Sequence, residues 1–156
     1  MRITAAVLRE VGKPFQIEEL ELAPPQQNEV LVRTVASGIC HSDYSIAHGV
    51  LRAPMPIVLG HEGAGIVEQV GPGVTHLKPG DKVIGSLTPS CGECAMCKEH
   101  KHFMCVQMGA LLNNCTYIDG TTRHKTLDGE DVYAMCGLAS FGSHMVMPAG
   151  SAIKVP

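Results

Sequence analysis

The chain has 156 residues, of which 45% are hydrophobic and 17% are charged, and its formal net charge is −3. This length is sufficient for one domain whose core needs no disulfides, and the small negative charge gives no reason to expect nucleic acid or an anionic membrane as a partner. The 7 cysteines are an odd number, and their clustering indicates metal binding rather than a disulfide framework. Because no apolar segment has the length of a signal peptide core or a membrane span, we expect a cytoplasmic protein in a reducing compartment.

Frequent turn-forming residues, 17 glycines and 10 prolines, favour many short strands over a few long helices. In chain order, the residue patterns predict strands over residues 3–8, 15–22, 29–37, 64–70, 82–87, 143–147 and 152–155. A short helix is predicted to begin near Ser42 or Asp43 and to continue to about residue 49, and an extended run leads into Gly60. Residues 106–131 show no sustained period and are predicted to form a long loop with room for one hairpin. This order predicts a mainly β fold, a β-barrel with irregular excursions.

Four cysteines lie close together, with the spacing Cys91-x2-Cys94-x2-Cys97-x7-Cys105. Four thiolates complete the tetrahedral coordination of zinc and leave no open position, so such a site stabilises structure and performs no chemistry. The alternatives are an iron–sulfur cluster, which also takes four thiolates, disulfides or free thiols. In a reducing compartment we favour structural zinc. Cys115 and Cys136 fall outside the spacing and are interpreted as small buried or half-buried residues.

A second set of possible metal ligands is divided between two segments of the chain. The thiolate of Cys40 and the imidazole of His61 are ligands that zinc prefers, and the carboxylate of Glu62 follows the histidine directly. A single histidine beside a glycine-rich turn is more often a hydrogen-bonded core residue. The neighbouring carboxylate, a serine two residues after Cys40, and the glycines that permit close approach of a backbone or ligand instead favour an open, catalytic zinc site.

Ser42 and Asp43, which follow Cys40 closely, each have two alternative roles. The hydroxyl of Ser42 could accept the proton of an alcohol held at the metal, or it could cap the predicted helix. The carboxylate of Asp43 could also cap the helix, or it could orient His61 by bonding the ring nitrogen that is turned away from the metal.

Taken together, these motifs resemble those of the zinc-dependent medium-chain alcohol dehydrogenases. The resemblance is carried by the four-cysteine spacing, by Gly60-His61-Glu62-x2-Gly65-x5-Gly71-x2-Val74, and by the later Gly80-Asp81-Lys82-Val83, Asp119-Gly120-Thr121-Thr122-Arg123 and Phe141. It extends over essentially the whole chain. It implies that residues 1–156 form a GroES-like β-barrel, the catalytic domain of such enzymes, with a structural zinc lobe at about residues 88–108.

The resemblance assigns a role to each residue of the open site. Cys40 and His61 match two ligands of the catalytic zinc, and Glu62 matches a nearby carboxylate that can transiently replace water or substrate at the metal. Ser42 matches the hydroxyl of a proton relay. Asp43 matches the carboxylate that orients the histidine ligand.

Other positions are implied to contact the cofactor or the substrate. His41 matches a position that faces the cofactor pyrophosphate, and Leu51 and Leu87 match positions that line the substrate pocket. Ser45 occupies the place where many relatives continue the proton relay with a histidine. The last proton transfer to solvent would therefore need water or another group.

The implied reaction is the reversible oxidation of an alcohol to an aldehyde or ketone. Zinc would lower the pKa of the bound alcohol, and the nicotinamide of NAD or NADP would take the hydride. The family's third zinc ligand, a cysteine, and its dinucleotide-binding domain have no counterpart here, and no Gly-x-Gly-x-x-Gly occurs. We therefore expect the N-terminal domain of a longer, homo-oligomeric enzyme, inactive without the cofactor domain.

Two other interpretations remain open at this point. One is a free-standing, zinc-stabilised β-barrel that binds a partner or assembles without catalysis. The other is a zinc-independent quinone reductase of the same superfamily, which would not be expected to keep both metal sites.

Overall fold

The computed structural model describes residues 1–88 and 90–156, so Pro89, which falls inside the predicted lobe, lies outside the described residues. The described residues contain ten strands: β1 (Arg2–Leu8), β2 (Gln16–Leu22), β3 (Glu29–Ser37), β4 (Ile57–Val58), β5 (Gly63–Val70), β6 (Lys82–Gly85), β7 (His124–Thr126), β8 (Asp131–Ala134), β9 (His144–Pro148) and β10 (Ala152–Val155). They also contain three α-helices: α1 (His41–Ala47), α2 (Ala95–Lys98) and α3 (Met108–Asn113). The prediction of a mainly β fold with short helices is confirmed.

The strands form a closed barrel and a five-stranded sheet. The barrel has the order β1-β2-β7-β8-β4, and it closes because β4 pairs in parallel with β8 and antiparallel with β1. The sheet has the order β10-β6-β5-β3-β9, and its neighbouring strands are antiparallel. The buried cluster inside the barrel includes Leu31 of β3 and Val146 of β9, so the sheet packs directly against the barrel.

Strand β3 carries the chain from the core to the edge of the molecule. Its first residues are buried through Val32, whereas Arg33 and the last three residues of the strand are exposed. In the antiparallel pairing of β3 with β5, the final register pair is Ser37 with Gly63. The segment after β3 and the segment before β5 therefore lie side by side, although about two dozen residues separate them along the chain.

Three predicted elements differ from the structure. The strand predicted over residues 82–87 ends at Gly85, and the extended run before Gly60 contains the two-residue strand β4. The long loop predicted over residues 106–131 contains helix α3, which the sequence analysis missed. That helix buries only Leu111, and its six residues are too few for a helical period to be visible in the sequence. The hairpin allowed there is present, since β7 pairs with β8.

Candidate active site and metal centres

The pairing of β3 with β5 brings together the two halves of the predicted open site. The Sγ of Cys40, a ring nitrogen of His61 and a carboxylate oxygen of Glu62 lie within 4.8 Å of one another. Cys40 is half-buried, His61 is buried and Glu62 is exposed. One sulfur, one nitrogen and one oxygen donor at the edge of the solvent are a set that fits zinc with an open coordination position.

Asp43 connects the two halves of this site. It is 2% exposed, and its Oδ2 accepts the backbone N–H of Cys40 at 2.8 Å. Its Oδ1 accepts the backbone N–H of Gly60 at 2.9 Å and lies 3.5 Å from Nδ1 of His61. One buried carboxylate therefore holds both segments and faces the ring of the histidine.

Helix α1 is capped two residues before Ser42, the earlier of the two caps that the sequence offered. Its N-cap is Cys40, whose backbone is extended with φ −91° and ψ 156°. The prediction that Ser42 caps the helix is wrong, while Asp43 contributes as the third helical residue by bonding the N–H of the cap residue. The hydroxyl of Ser42 makes no capping bond and instead contacts the ring of His61.

The two nitrogens of the His61 ring face different partners. Nε2 lies 3.4 Å from Oγ of Ser42, on the side of the site. Nδ1 faces Asp43, but it is buried and makes no hydrogen bond within the described residues at the present ring orientation.

The position of the Glu62 carboxylate depends on the absence of a side chain at Gly38. A Cβ placed on Gly38 would overlap the carboxylate of Glu62, and the two residues are also joined by a hydrogen bond of 3.0 Å from the N–H of Gly38 to the carbonyl of Glu62. The carboxylate therefore lies against the backbone of the neighbouring segment. This position explains how an exposed residue remains close to Cys40 and His61.

The residues expected to contact cofactor and substrate, His41, Leu51 and Leu87, are exposed. His41 is the exposed first residue of α1, and its Nδ1 lies 3.3 Å from Oγ of Ser45. The sequence analysis missed this contact, although the four-residue spacing on a helix could have indicated it. Leu51 and Leu87 are 48% and 37% exposed.

The four-cysteine cluster also comes together. All four Sγ atoms lie within 4.8 Å of one another, and Cys97 and Cys105 are buried. The N–H of Cys91 donates to Sγ of Cys105, and the N–H of Cys94 donates to Sγ of Cys91, both at 3.4 Å. Backbone N–H donors around clustered sulfurs are typical of a four-thiolate metal site.

The thiols of this cluster differ in their affinity for a proton. Hydrogen bonds from the backbone of Val106 and Cys97 lower the pKa of Cys94 to about 6, whereas burial raises the pKa of Cys97 to about 12. A divalent cation would stabilise all four as thiolates. The residues present therefore fit a closed metal site.

The other two cysteines are separate from both clusters. The seven cysteines all lie in the described part of the chain, and all are free. Burial raises the pKa of Cys115 to about 11 and, as the largest of several causes, that of Cys136 to about 12. Both therefore remain neutral thiols near neutral pH, in agreement with their interpretation as buried residues.

Among the described residues, no helix is long and apolar enough to cross a membrane.

Comparisons with known proteins identify the family of this chain. A sequence profile described as the alcohol dehydrogenase GroES-like domain matches residues 26–156. The NDMA-dependent alcohol dehydrogenase of Amycolatopsis methanolica is 45% identical over 155 residues, which are 99% of this chain and 41% of that protein. The chain thus spans about two fifths of the length of that curated relative.

Solved structures of the same kind superimpose on the whole chain. An alcohol dehydrogenase zinc-binding domain protein from Burkholderia ambifaria is 41% identical with a TM-score of 0.93, covering 100% of this chain and 42% of its own. Benzyl alcohol dehydrogenase from Acinetobacter calcoaceticus is 32% identical with a TM-score of 0.89, covering 100% of this chain and 41% of its own. The predicted GroES-like fold is confirmed, and since the profile covers most of the sequence, the chain belongs to the family of alcohol dehydrogenase GroES-like domains.

Proposed function

We propose that this chain is the catalytic domain of a zinc-dependent alcohol dehydrogenase that oxidises an alcohol to an aldehyde or ketone with NAD or NADP. The observation that carries the proposal is the convergence of Cys40, His61 and Glu62 beside the hydroxyl of Ser42. A structural domain would need no such group of ligands and proton acceptors at its surface. The relatives that match this chain are named as alcohol dehydrogenases, which supports the same reaction class.

Cys40, His61 and Glu62 are the residues that would hold the catalytic zinc. When bound there, zinc supplies Lewis acidity that lowers the pKa of a coordinated alcohol. Asp43 would keep His61 in the orientation that leaves Nε2 facing the site. The chain thus provides ligands whose geometry is fixed before substrate arrives.

Ser42 would receive the proton of the alcohol at its Oγ. Its distance of 3.4 Å from Nε2 of His61 places the hydroxyl beside the group of ligands. Onward transfer would use water or the exposed ring of His41, which is joined to Ser45 at the position of the usual relay histidine. The exposed side chains of Leu51 and Leu87 would contact the apolar part of the substrate.

A further domain would hold the dinucleotide. The 156 residues contain no Gly-x-Gly-x-x-Gly, and the chain spans only 41% of the relative from Amycolatopsis methanolica. His41, at the exposed start of α1, would contact the cofactor pyrophosphate. We further propose that residues 88–108 form a lobe held by a structural zinc on Cys91, Cys94, Cys97 and Cys105, and that the complete enzyme is a cytoplasmic homo-oligomer.

Zinc content per chain tests the metal assignments. Elemental analysis of the purified protein is expected to find about two zinc ions, one of them lost in Cys40→Ser and the other in the double variant Cys91→Ser, Cys94→Ser. Cys115→Ala, which removes a buried thiol outside both clusters, is the matched control and should retain both ions. A protein without zinc, or a Cys40→Ser variant with the full complement, contradicts the proposed site.

Activity of the complete enzyme tests the reaction itself. Ser42→Ala should lower kcat for alcohol oxidation by about 10²-fold or more, because the proton acceptor is removed while the metal ligands remain. An unchanged kcat would remove Ser42 from the mechanism.

A further inference from the structure

A buried serine outside every sequence motif contacts both ligand-bearing segments of the open site. Ser140 lies between the 3₁₀ turn Met135–Gly137 and strand β9, and it is 2% exposed. Its backbone N–H donates to the carbonyl of Gly60, the residue before His61, at 3.0 Å. The next residue, Phe141, repeats this contact by donating to the carbonyl of Leu59 at 3.1 Å. The backbone that presents His61 is therefore held at two successive residues.

The hydroxyl of Ser140 reaches the other segment. Its Oγ lies 2.7 Å from Oγ of Ser37, the last residue of β3, and Ser37 in turn donates to the carbonyl of Gly38 at 3.1 Å. Either hydroxyl can be the donor in the bond between Ser37 and Ser140. Ser37 lies three residues before Cys40, so the bond between the two hydroxyls links the segment that leads to Cys40 with the segment that leads to His61.

The glycines around His61 leave space for this side chain. Gly60 has φ +88°, and a Cβ on it would overlap Oγ of Ser140. A Cβ on Gly63 would lie 2.7 Å from Cβ of Ser140. The two glycines stand on either side of the pair His61 and Glu62, and both pack on the same residue. The sequence analysis left open whether a backbone or a ligand requires these glycines. At these two positions the neighbours are side chains: Ser140 at both, together with Phe141 at Gly60 and Met145 at Gly63.

We propose that Ser140 is a positioning residue for the metal site formed by Cys40, His61 and Glu62. Its N–H and Cβ fix the segment that carries His61, and its hydroxyl fixes the end of β3 that leads to Cys40. Removing the hydroxyl leaves the backbone contact to Gly60 intact but removes one of the links, beside the bridge made by Asp43, that set the distance between Cys40 and His61. This inference rests on the proposed function, because it assumes that the three residues bind metal.

The prediction is a selective loss of metal affinity in Ser140→Ala. Competition titration of the metal-free protein with Zn²⁺ and a chromophoric chelator should resolve two binding events, of which Cys40→Ser identifies the one at the open site. Ser140→Ala is expected to weaken that event by about 10-fold or more, the usual effect of removing a group that supports a ligand, and to leave the four-cysteine event unchanged. Ser37→Ala should weaken the same event, and the double variant should add little, because the two hydroxyls share one bond.

Ser151→Ala is the matched control. Ser151 is fully buried like Ser140, but its hydroxyl has no hydrogen-bond partner within the described residues. This variant should bind zinc at both sites as the unmodified protein does. Urea unfolding of all variants shows whether a general loss of stability accompanies the change.

The outcomes separate this inference from the proposed function. An unmodified protein with no binding event sensitive to Cys40→Ser overturns the proposed metal site and this inference with it. Two binding events in the unmodified protein, with Ser140→Ala leaving both unchanged or weakening both equally, overturn the positioning role alone. A selective loss at the open site supports it.

Discussion

Acidification should destabilise this fold through one buried histidine, His124. Its ring is completely buried in strand β7, opposite Leu22 of β2 and Val132 of β8. Neither ring nitrogen has a hydrogen-bond partner among the described residues. Burial alone lowers the pKa of His124 from 6.5 to about 4, because nothing nearby compensates the imidazolium for lost hydration.

The sign and size of the effect follow from these values. The unfolded chain takes up a proton near pH 6.5, while the folded protein resists protonation until about pH 4. The unfolded state therefore binds more protons between these values, so the stabilisation is complete above pH 6.5 and is lost as the pH falls towards 4. The full loss corresponds to about 3 kcal/mol in the free energy of unfolding, of which about 2 kcal/mol is reached by pH 5.

A comparison of two histidine variants measures this contribution. Urea unfolding followed by far-ultraviolet circular dichroism at pH 7.5 and pH 5 should show that His124→Leu loses about 2 kcal/mol less stability on acidification than the unmodified protein. His48→Leu, at an exposed position on the end of α1, should follow the unmodified protein. Release of metal at low pH affects all three proteins and cancels in the differences. Identical losses in His124→Leu and the unmodified protein would refute the assignment of an unpartnered buried imidazole.

Two further predictions concern buried charges. Asp43→Asn should weaken zinc binding at the open site by about 10- to 100-fold in a chelator competition, because an amide cannot replace the charge beside His61. The control is Asp81→Asn, which changes a buried carboxylate paired with Lys154 and should leave zinc binding normal. Arg123→Met should cost about 3–5 kcal/mol in urea unfolding, because it leaves Glu29 buried without the partner that lies 2.7 Å away, and the double variant with Glu29→Gln should recover part of that loss. An Asp43→Asn site of normal affinity, or an Arg123→Met protein of normal stability, would contradict these assignments.

Local patterns in the sequence were sufficient for most of the strands and for the four-cysteine cluster. Strand β3 was predicted with its observed bounds, Glu29–Ser37, because alternating β-branched residues end at a glycine. The four thiols lie within fifteen residues of one another, so their convergence needs only a tight local turn. Helix α1 was also predicted from a local pattern, a possible capping residue. Its predicted start differed from the observed one, since several neighbouring side chains were able to cap it.

The open site depended on contacts that no local pattern contains. Cys40 and His61 meet because Ser37 pairs with Gly63 in the final register of β3 and β5, and the sequence analysis inferred that meeting only through motifs and resemblance. The hydrogen bond between Ser140 and Ser37 joins residues about a hundred positions apart in the sequence. The burial of His124 follows from the closure of the barrel. Spacing along the chain determines which side chains can meet within a few residues, whereas the register and closure of the sheets decide which distant side chains meet and which are removed from water.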